Sequence, residues 1–287
     1  MARERYADQV RLLVDILPAI AAEEDFALKG GTAINLFYRD LPRLSVDIDL
    51  TFLPIKDRAQ SLADIDDAMD RIGRAGSKTR GVTSTRIAGG GGGSTRVLFQ
   101  RGLATVKVET SPVTRGVVFE PEMKRVSSVV EDDFGFAETR LVAFEDLYAG
   151  KLHAALHRQH PRDLFDVKLL YEHEGITDDL FRAFLVYVAS SNRPPHELLD
   201  PNLSPLGDLF VKEFSGMTAE AVTIADLEAV RVRLIQDVQS RLNHNAAQFL
   251  LTLVNGAPDF EAIGLPSAAA LPAVQWKLRN ILELRRT

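Results

Sequence analysis

Two short stretches near the start of this chain decide how it folds: Lys29-Gly30-Gly31-Thr32, and then Arg43-Leu44-Ser45-Val46-Asp47-Ile48-Asp49-Leu50-Thr51-Phe52. From residue 45 to residue 52 polar and apolar residues alternate. This predicts a β-strand, because successive side chains on a strand point to opposite faces. The face expected in the core carries Val46, Ile48, Leu50 and Phe52. The other face carries Ser45, Asp47, Asp49 and Thr51. Two ionised aspartates on one face repel each other unless a cation lies between them, and oxygen ligands favour Mg²⁺ or Mn²⁺.

The glycine pair lies at a predicted turn between a strand and a helix. Residues 26–28 predict a short strand, and residues 33–38 predict the helix that follows Gly30, Gly31 and Thr32. Glycine lets a phosphate approach the main chain, and a helix N-terminus favours negative charge, so a polyphosphate is expected beside the metal. Alone, the glycine pair could be a tight connection between a strand and a helix, and the two aspartates could lie on an exposed strand face. The two stretches together indicate a nucleotide site.

These residues resemble the nucleotidyltransferase superfamily related to DNA polymerase β, whose signature is a Gly-Gly or Gly-Ser turn followed by Asp-x-Asp/Glu. The segment from Arg43 to Asp49 is similar to the AbiEii/AbiGii toxin branch, which includes the mycobacterial MenT toxins, although the spacing from Gly31 to Asp47 is longer than in many other branches. The resemblance implies an α/β (α+β) nucleotidyltransferase domain with a mixed sheet, residues 1–136. A mostly α-helical C-terminal domain, residues 137–287, is expected to follow.

A third carboxylate is expected from a neighbouring strand. Residues 103–110 alternate again, with Lys107 and Glu109 on one face. The resemblance implies that Glu109 joins Asp47 and Asp49, either completing a two-metal site or taking the proton of the attacking hydroxyl. An ordinary exposed strand face is the alternative for this pair.

A second charged block lies in the predicted helical half. At about 100° per residue, Lys151 and Arg158 share one helix face, and Pro161 starts a second helix with Asp163 and Asp166 on one side. The block is similar to the later AbiEii motifs, except that Val167 stands where a leucine is usual. There Lys151 would neutralise the triphosphate and Asp166 would orient it or the acceptor. The supporting residues would be Arg158, Arg162 and Asp163.

Composition excludes several classes of protein. The 287 residues include no cysteine, so disulfides, thiol catalysis and Cys-based zinc sites are ruled out. The sequence shows no signal peptide and no membrane span, and we expect a cytoplasmic protein.

A basic segment runs from residue 71 to residue 115. It carries nine Lys or Arg residues and one acid, a local charge of +8 in a chain of net charge −6. Such a segment is typical of a surface that binds RNA phosphates, unless its cations pair with acids elsewhere. The candidate RNA contacts are Arg80, Arg86 and Arg96, the last two flanking the five glycines of residues 89–93.

The resemblance predicts a toxin of a type IV toxin–antitoxin system that transfers NMP from an NTP to RNA, with the tRNA 3′ end as the expected acceptor and an AbiEi-type antitoxin as partner. The expected ligands of Mg²⁺ (or Mn²⁺) are Asp47, Asp49 and Glu109. The expected catalytic set adds Lys151 and Asp166. The expected nucleotide contacts are Gly30, Gly31, Thr32, Ser45, Lys107, Lys151, Arg158 and Asp163.

Three points stay open. Ser45 corresponds to a Ser or Thr that is modified in some relatives to silence the toxin. An antibiotic or other small-molecule nucleotidyltransferase would use the same aspartates, and a catalytically inactive interaction module is the third alternative.

Overall fold

The computed structural model describes residues 2–87 and 95–284 and divides the chain into two compact units, Met1–Val142 and Ala143–Thr287. The five glycines of residues 89–93 lie outside the described residues. The predicted domain boundary after residue 136 falls just before a strand, Glu138–Leu141, that belongs to the sheet of the first unit. In the described part of the chain, no helix has the length and apolar character needed to cross a membrane.

The first unit is built on a mixed sheet, as predicted. Within the described residues it has seven strands: β1 (Phe26–Lys29), β2 (Ile48–Phe52), β3 (Thr83–Ile87), β4 (Arg96–Arg101), β5 (Ala104–Thr110), β6 (Glu122–Arg125) and β7 (Glu138–Leu141). Their order in the sheet is β3-β4-β5-β2-β1-β7-β6. β2 runs antiparallel to β1 and parallel to β5, while β1 and β7 are parallel.

The strand that carries the aspartates is shorter than predicted. β2 begins at Ile48, so the prediction of a strand from residue 45 was wrong for residues 45–47. Its partner β1 ends at Lys29, which pairs with Asp49, because the chain turns away at Gly30 with a φ of +79°. Thr51 is 4% exposed, so the sheet face that it shares with Asp49 is covered at this point. Asp47 therefore lies just before the strand and Asp49 within it.

Helices of the first unit supply the rest of its core. α1 (Ala2–Ala21) packs an apolar stripe into the core, since Val10, Leu13 and Leu17 are fully buried. α3 (Arg58–Gly76) begins at an Asp57 cap whose side chain accepts a hydrogen bond from the Gln60 N–H at 3.0 Å. The remaining helical segments are α2 (Gly30–Ala33), the π-helical Ile34–Tyr38 and α4 (Ser128–Phe134).

The second unit is helical, as predicted. Pro161 occupies the first turn of α6, where its missing N–H costs nothing. The helices are α5 (Phe144–Arg158), α6 (Pro161–His173), α7 (Asp178–Ala189), α8 (Pro195–Leu199), α9 (Gly207–Glu213), α10 (Ile224–Ser240), α11 (His244–Val254), the 3₁₀ segment Pro266–Ala270 and α12 (Pro272–Leu284). The mixed sheet of the first unit and the helices of the second unit match the predicted fold class, an α/β (α+β) domain followed by a mostly α-helical domain.

Candidate functional site

The Gly-Gly turn is tied directly to the aspartate stretch. The Thr32 hydroxyl donates a hydrogen bond to the backbone carbonyl of Asp47 at 2.5 Å, and its oxygen lies 3.2 Å from the Ser45 hydroxyl oxygen. Thr32 is completely buried. Its side chain therefore holds the segment before β2 against the turn, a structural role that the sequence did not suggest.

The two glycines leave room for the side chains of the second stretch. A Cβ on Gly30 would lie 2.5 Å from an oxygen of the Asp49 carboxylate. A Cβ on Gly31 would meet the Arg43 guanidinium and lie 2.9 Å from the Ser45 hydroxyl oxygen. The space that the missing side chains leave, which we expected a phosphate to use, thus also lets the side chains of Asp49 and Arg43 pack against the turn.

Four charged residues form a row across neighbouring strands. Lys29 on β1 pairs with Asp49 on β2, Asp49 pairs with Glu109 on β5, and Glu109 pairs with Arg96 on β4. Directly paired residues share a sheet face. The row therefore brings Glu109 beside Asp49, as predicted, with a cation at each end.

Glu109 is held by two cations. Lys107 Nζ lies 3.0 Å from Glu109 Oε1, and Arg96 Nε lies 2.9 Å from Glu109 Oε2. The same Lys107 ammonium is 3.7 Å from Asp47 Oδ2. Burial opposes the charged form of Lys107, but the hydrogen bond to Glu109 and the charges of Asp47, Glu109 and Asp49 raise its pKa overall. Lys107 therefore stays an ammonium between two carboxylates.

The metal site was predicted from three carboxylates. Among the described residues, no group of three or more Asp, Glu or His side chains lies close enough to hold a metal ion. Lys107 and Arg96 occupy the Glu109 oxygens, and the Asp47 side chain is 56% exposed. Asp47 and Asp49 nevertheless provide carboxylate oxygens, which suit Mg²⁺ or Mn²⁺. Because β2 begins only at Ile48, Asp47 stays accessible.

A buried ion cluster forms in the second unit. Lys151 Nζ of α5 lies 3.0 Å from Asp163 Oδ1 and 2.8 Å from Asp166 Oδ2, both on α6. Arg158 binds Asp163 through Nε at 2.5 Å and Nη2 at 2.9 Å. Although burial opposes ionisation, Lys151 and Arg158 hold the pKa of Asp163 well below its usual range. The helix faces predicted for these four residues therefore meet, with Lys151 almost fully buried.

Arg162 has a peripheral position. Its Nη2 lies 3.6 Å from Glu213 Oε2. The same carboxylate oxygen accepts a hydrogen bond from His160 Nε2 at 3.1 Å. The other ring nitrogen of His160, Nδ1, accepts the backbone N–H of Arg162 at 3.1 Å and caps α6. These contacts position the start of α6.

The fold agrees with comparisons to known proteins. Residues 11–280 match the family described as nucleotidyl transferase AbiEii toxin, type IV TA system. The chain belongs to this AbiEii family. It is accordingly a nucleotidyltransferase toxin of a type IV toxin–antitoxin system, which implies an NTP substrate and an antitoxin.

A solved structure supports the same fold. The chain is similar to MenT4, a nucleotidyltransferase toxin from Mycobacterium tuberculosis H37Rv, with 17% identity, a TM-score of 0.60 and coverage of 99% of this chain and 92% of that one. No curated protein matches the chain. Membership of the AbiEii family favours an enzyme over the inactive interaction module.

The basic segment of this AbiEii protein is largely engaged in ion pairs. Arg86 contacts Asp66 and lies 3.2 Å from Asp70, while Arg96 binds Glu109. Arg115 is 5% exposed. Further pairs join Arg71 to Glu23 and Arg101 to Asp15. Arg80 is exposed. Pairing with acids, the alternative to RNA contact, thus accounts for much of this charge.

Sequence reasoning left three residues of the AbiEii site without a role. Arg43 is 4% exposed, packs over Gly31 and donates to the Leu44 carbonyl at 3.0 Å. The Tyr6 hydroxyl donates to the Arg43 carbonyl at 3.2 Å, and Asn35 Nδ2 donates to the Gly31 carbonyl at 2.8 Å. Arg43 opens the quoted stretch and could have been singled out. Tyr6 lies too far away in sequence for any local pattern to reveal it.

Proposed function

We propose that this AbiEii protein transfers NMP from an NTP to the 3′ end of tRNA in a reaction that depends on a divalent metal ion. The observation that carries the proposal is the joint between the Gly-Gly turn and the aspartate stretch. Gly30 leaves room for Asp49, and Thr32 holds the backbone of Asp47. A phosphate-binding turn and a pair of metal-ligating carboxylates are thereby joined in one small unit.

Asp47 and Asp49 are the proposed ligands of Mg²⁺ or Mn²⁺. A divalent ion bound there would polarise the α-phosphate and balance the charge of the leaving pyrophosphate. Glu109 lies in register with Asp49, so its carboxylate lies next to one of the two proposed metal ligands. Asp49 and Glu109 face the same side of the sheet.

The nucleotide is held by the turn and its surroundings in this proposal. The backbone N–H groups after Gly30 and Gly31, the Ser45 hydroxyl and the Lys107 ammonium are donors for phosphate oxygens. In the transfer step the acceptor hydroxyl oxygen bonds to the α-phosphorus, and the bond between that phosphorus and the α–β bridging oxygen breaks. Pyrophosphate leaves with the electron pair, and the hydroxyl proton passes to a carboxylate oxygen or to water.

Lys151 and Asp166 are proposed to be required for transfer. Asp163 and Asp166 hold the Lys151 ammonium from two sides at 3.0 and 2.8 Å, which fixes its position within the second unit. Arg158 and Asp163 support that position through their paired hydrogen bonds.

RNA is the proposed acceptor. Arg80 is exposed and is the leading proposed contact, whereas Arg86 and Arg96 would each have to leave a carboxylate partner before binding a phosphate. The partner that restrains the toxin is proposed to be an AbiEi-type antitoxin.

The test is a transfer assay with each α-labelled NTP, Mg²⁺ and total bacterial tRNA. We expect label on tRNA from one NTP, no label after chelation of Mg²⁺, and a loss of about 10³-fold or more in Asp49→Asn, because electrostatic stabilisation of this kind contributes several kcal/mol. Asp64→Asn is the matched control, since Asp64 lies in α3 and binds Lys56 and Gln60.

Label that persists in Asp49→Asn would refute the assignment of the site. If tRNA stays unlabelled while an antibiotic or another small hydroxyl compound is labelled, the small-molecule alternative is correct.

A further inference from the structure

We propose that the Lys107 ammonium takes the place of a second metal ion. The site then works with one divalent ion, held by Asp47 and Asp49, and Glu109 positions Lys107 instead of binding metal. This inference rests on the proposed function, because it concerns the same carboxylates.

The surroundings of Glu109 carry the first part of the argument. Its two carboxylate oxygens are bound by different cations, Oε1 by Lys107 at 3.0 Å and Oε2 by Arg96 at 2.9 Å. Arg96 lies directly opposite Glu109 in the antiparallel pair of β4 and β5, so the strand register places Arg96 beside Glu109. A metal ion could bind Glu109 only after one of these charge-assisted hydrogen bonds was broken.

The position of Lys107 carries the second part. Its ammonium lies between Glu109 Oε1 at 3.0 Å and Asp47 Oδ2 at 3.7 Å. A second divalent ion in a two-metal site has to bridge carboxylates in this way. Because an ammonium and a divalent ion at contact distance repel each other strongly, both cannot occupy this position.

The charge balance agrees with a single metal ion. Asp47, Asp49 and Glu109 carry three negative charges, which the three positive charges of Lys107, Arg96 and Lys29 balance, the last lying next to Asp49 in the sheet. One divalent ion then leaves the group positive and ready for a triphosphate. A second would add two more positive charges to a group that has already been neutralised.

Lys107 is suited to act on the nucleotide as well. Its side chain is 33% exposed, and an ammonium has three donors, of which one binds Glu109, while Asp47 at 3.7 Å lies beyond hydrogen-bond distance. A remaining donor can point to a phosphate oxygen. Lys107 would thus supply a fixed positive charge whose presence does not depend on the metal concentration.

Binding of Mn²⁺ alone to the full-length protein tests the inference without relying on activity. The free ion is followed by electron paramagnetic resonance while protein is titrated. We expect wild type to bind one Mn²⁺ per chain and Lys107→Met to bind two, since Asp47 and Glu109 are then left without a cation between them. Lys107→Arg keeps the charge and is expected to bind one.

The chain offers a matched control. Lys124 pairs with Glu122 two residues away on a strand, as Lys107 pairs with Glu109, and its side chain is equally exposed at 32%. Lys124→Met is therefore expected to leave the stoichiometry at one. Glu109→Gln should keep the first Mn²⁺, whereas Asp49→Asn should lose it.

Two bound Mn²⁺ ions in wild type, or an unchanged stoichiometry in folded Lys107→Met, would overturn the inference and leave the proposed function standing. Loss of the first Mn²⁺ in Glu109→Gln would restore Glu109 as a ligand. Failure of wild type to bind any Mn²⁺ would instead refute the metal dependence on which both proposals rest.

Discussion

Gly30 meets two requirements at one backbone position. Its φ of +79° lies in the left-handed region that side chains disfavour, and a Cβ there would lie 2.5 Å from the Asp49 carboxylate. A Cβ could be accepted at this φ at the cost of backbone strain, but it would also displace the side chain of Asp49, a proposed metal ligand. Gly30 is therefore the residue at which backbone geometry and catalysis are most closely coupled.

Gly30→Ala is expected to lower transfer activity about 100-fold or more, because a shift of about 1 Å in a catalytic group has this effect. Gly102→Ala is the control, since Gly102 has a φ of +59° but nothing within 4 Å of a Cβ. The control should lose about 1–2 kcal/mol of unfolding free energy and keep its activity. Urea unfolding and the tRNA assay measure both effects, and equal activity losses in the two variants would contradict the argument.

His153 should make stability depend on pH. Burial, followed by the charges of His157, Arg158 and Arg193, lowers its pKa from 6.5 to about 4, and its Nε2 is buried without a partner among the described residues. Between these values the unfolded chain binds more protons than the folded one. Above pH 6.5 the titration of His153 therefore takes nothing from the free energy of unfolding, and this free energy falls as the pH drops from 6.5 toward 4.

From pH 7 to pH 5 this histidine should cost about 1–2 kcal/mol of unfolding free energy, which His153→Leu should largely abolish. Urea titrations of both proteins at the two pH values measure the difference. A pH dependence that persists unchanged in His153→Leu would assign the effect to another group.

At the level of single elements, β2 shows what the sequence could predict and what it could not. The alternation correctly buried Ile48, Leu50 and Phe52, because periodicity is a local property. It failed before Ile48, since the end of a strand depends on where its partner ends, here at Lys29. Pairing across the sheet also decides that Arg96 of β4 binds Glu109, which no spacing within β5 could indicate.

The second charged block shows the same limit. Helical spacing correctly placed Lys151 with Arg158 and Asp163 with Asp166. It could not show that α5 and α6 turn these faces toward each other and bury the lysine, because that depends on packing. The charges were found from sequence, but their mutual neutralisation was not.

The contact between α3 and the sheet gives a test at this scale. A Cβ on Gly76 would lie 2.8 Å from Cζ of the buried Phe99 on β4, whereas a Cβ on Gly73 would lie 3.4 Å from the Ser84 hydroxyl oxygen. Gly76→Ala should therefore lose about 1–3 kcal/mol of unfolding free energy through overpacking, and Gly73→Ala less than that. Thermal unfolding of the pair checks the order, and a more stable Gly76→Ala would show that the helix can shift.

Across the whole molecule, the basic segment between residues 71 and 115 decides how strongly RNA binding should respond to salt. If all nine cations bound phosphates, the slope of log K against log salt would be about −6 to −8. Ion pairs already occupy several of them: Arg71, Arg86, Arg96, Arg101 and Lys107. Three exposed cations lie in the remainder, Arg74, Lys78 and Arg80.

We therefore expect a slope of only about −2 to −3 for tRNA binding, measured by filter binding between low and physiological salt. Arg80→Gln should reduce its magnitude by about 1, because one phosphate contact is lost. Arg86→Gln should reduce it less, since Arg86 must leave Asp66 and Asp70 before it can bind RNA and gains little by the exchange. A slope near −7 would show that RNA binding breaks these ion pairs, and the phosphate surface would then extend along β3 and β4.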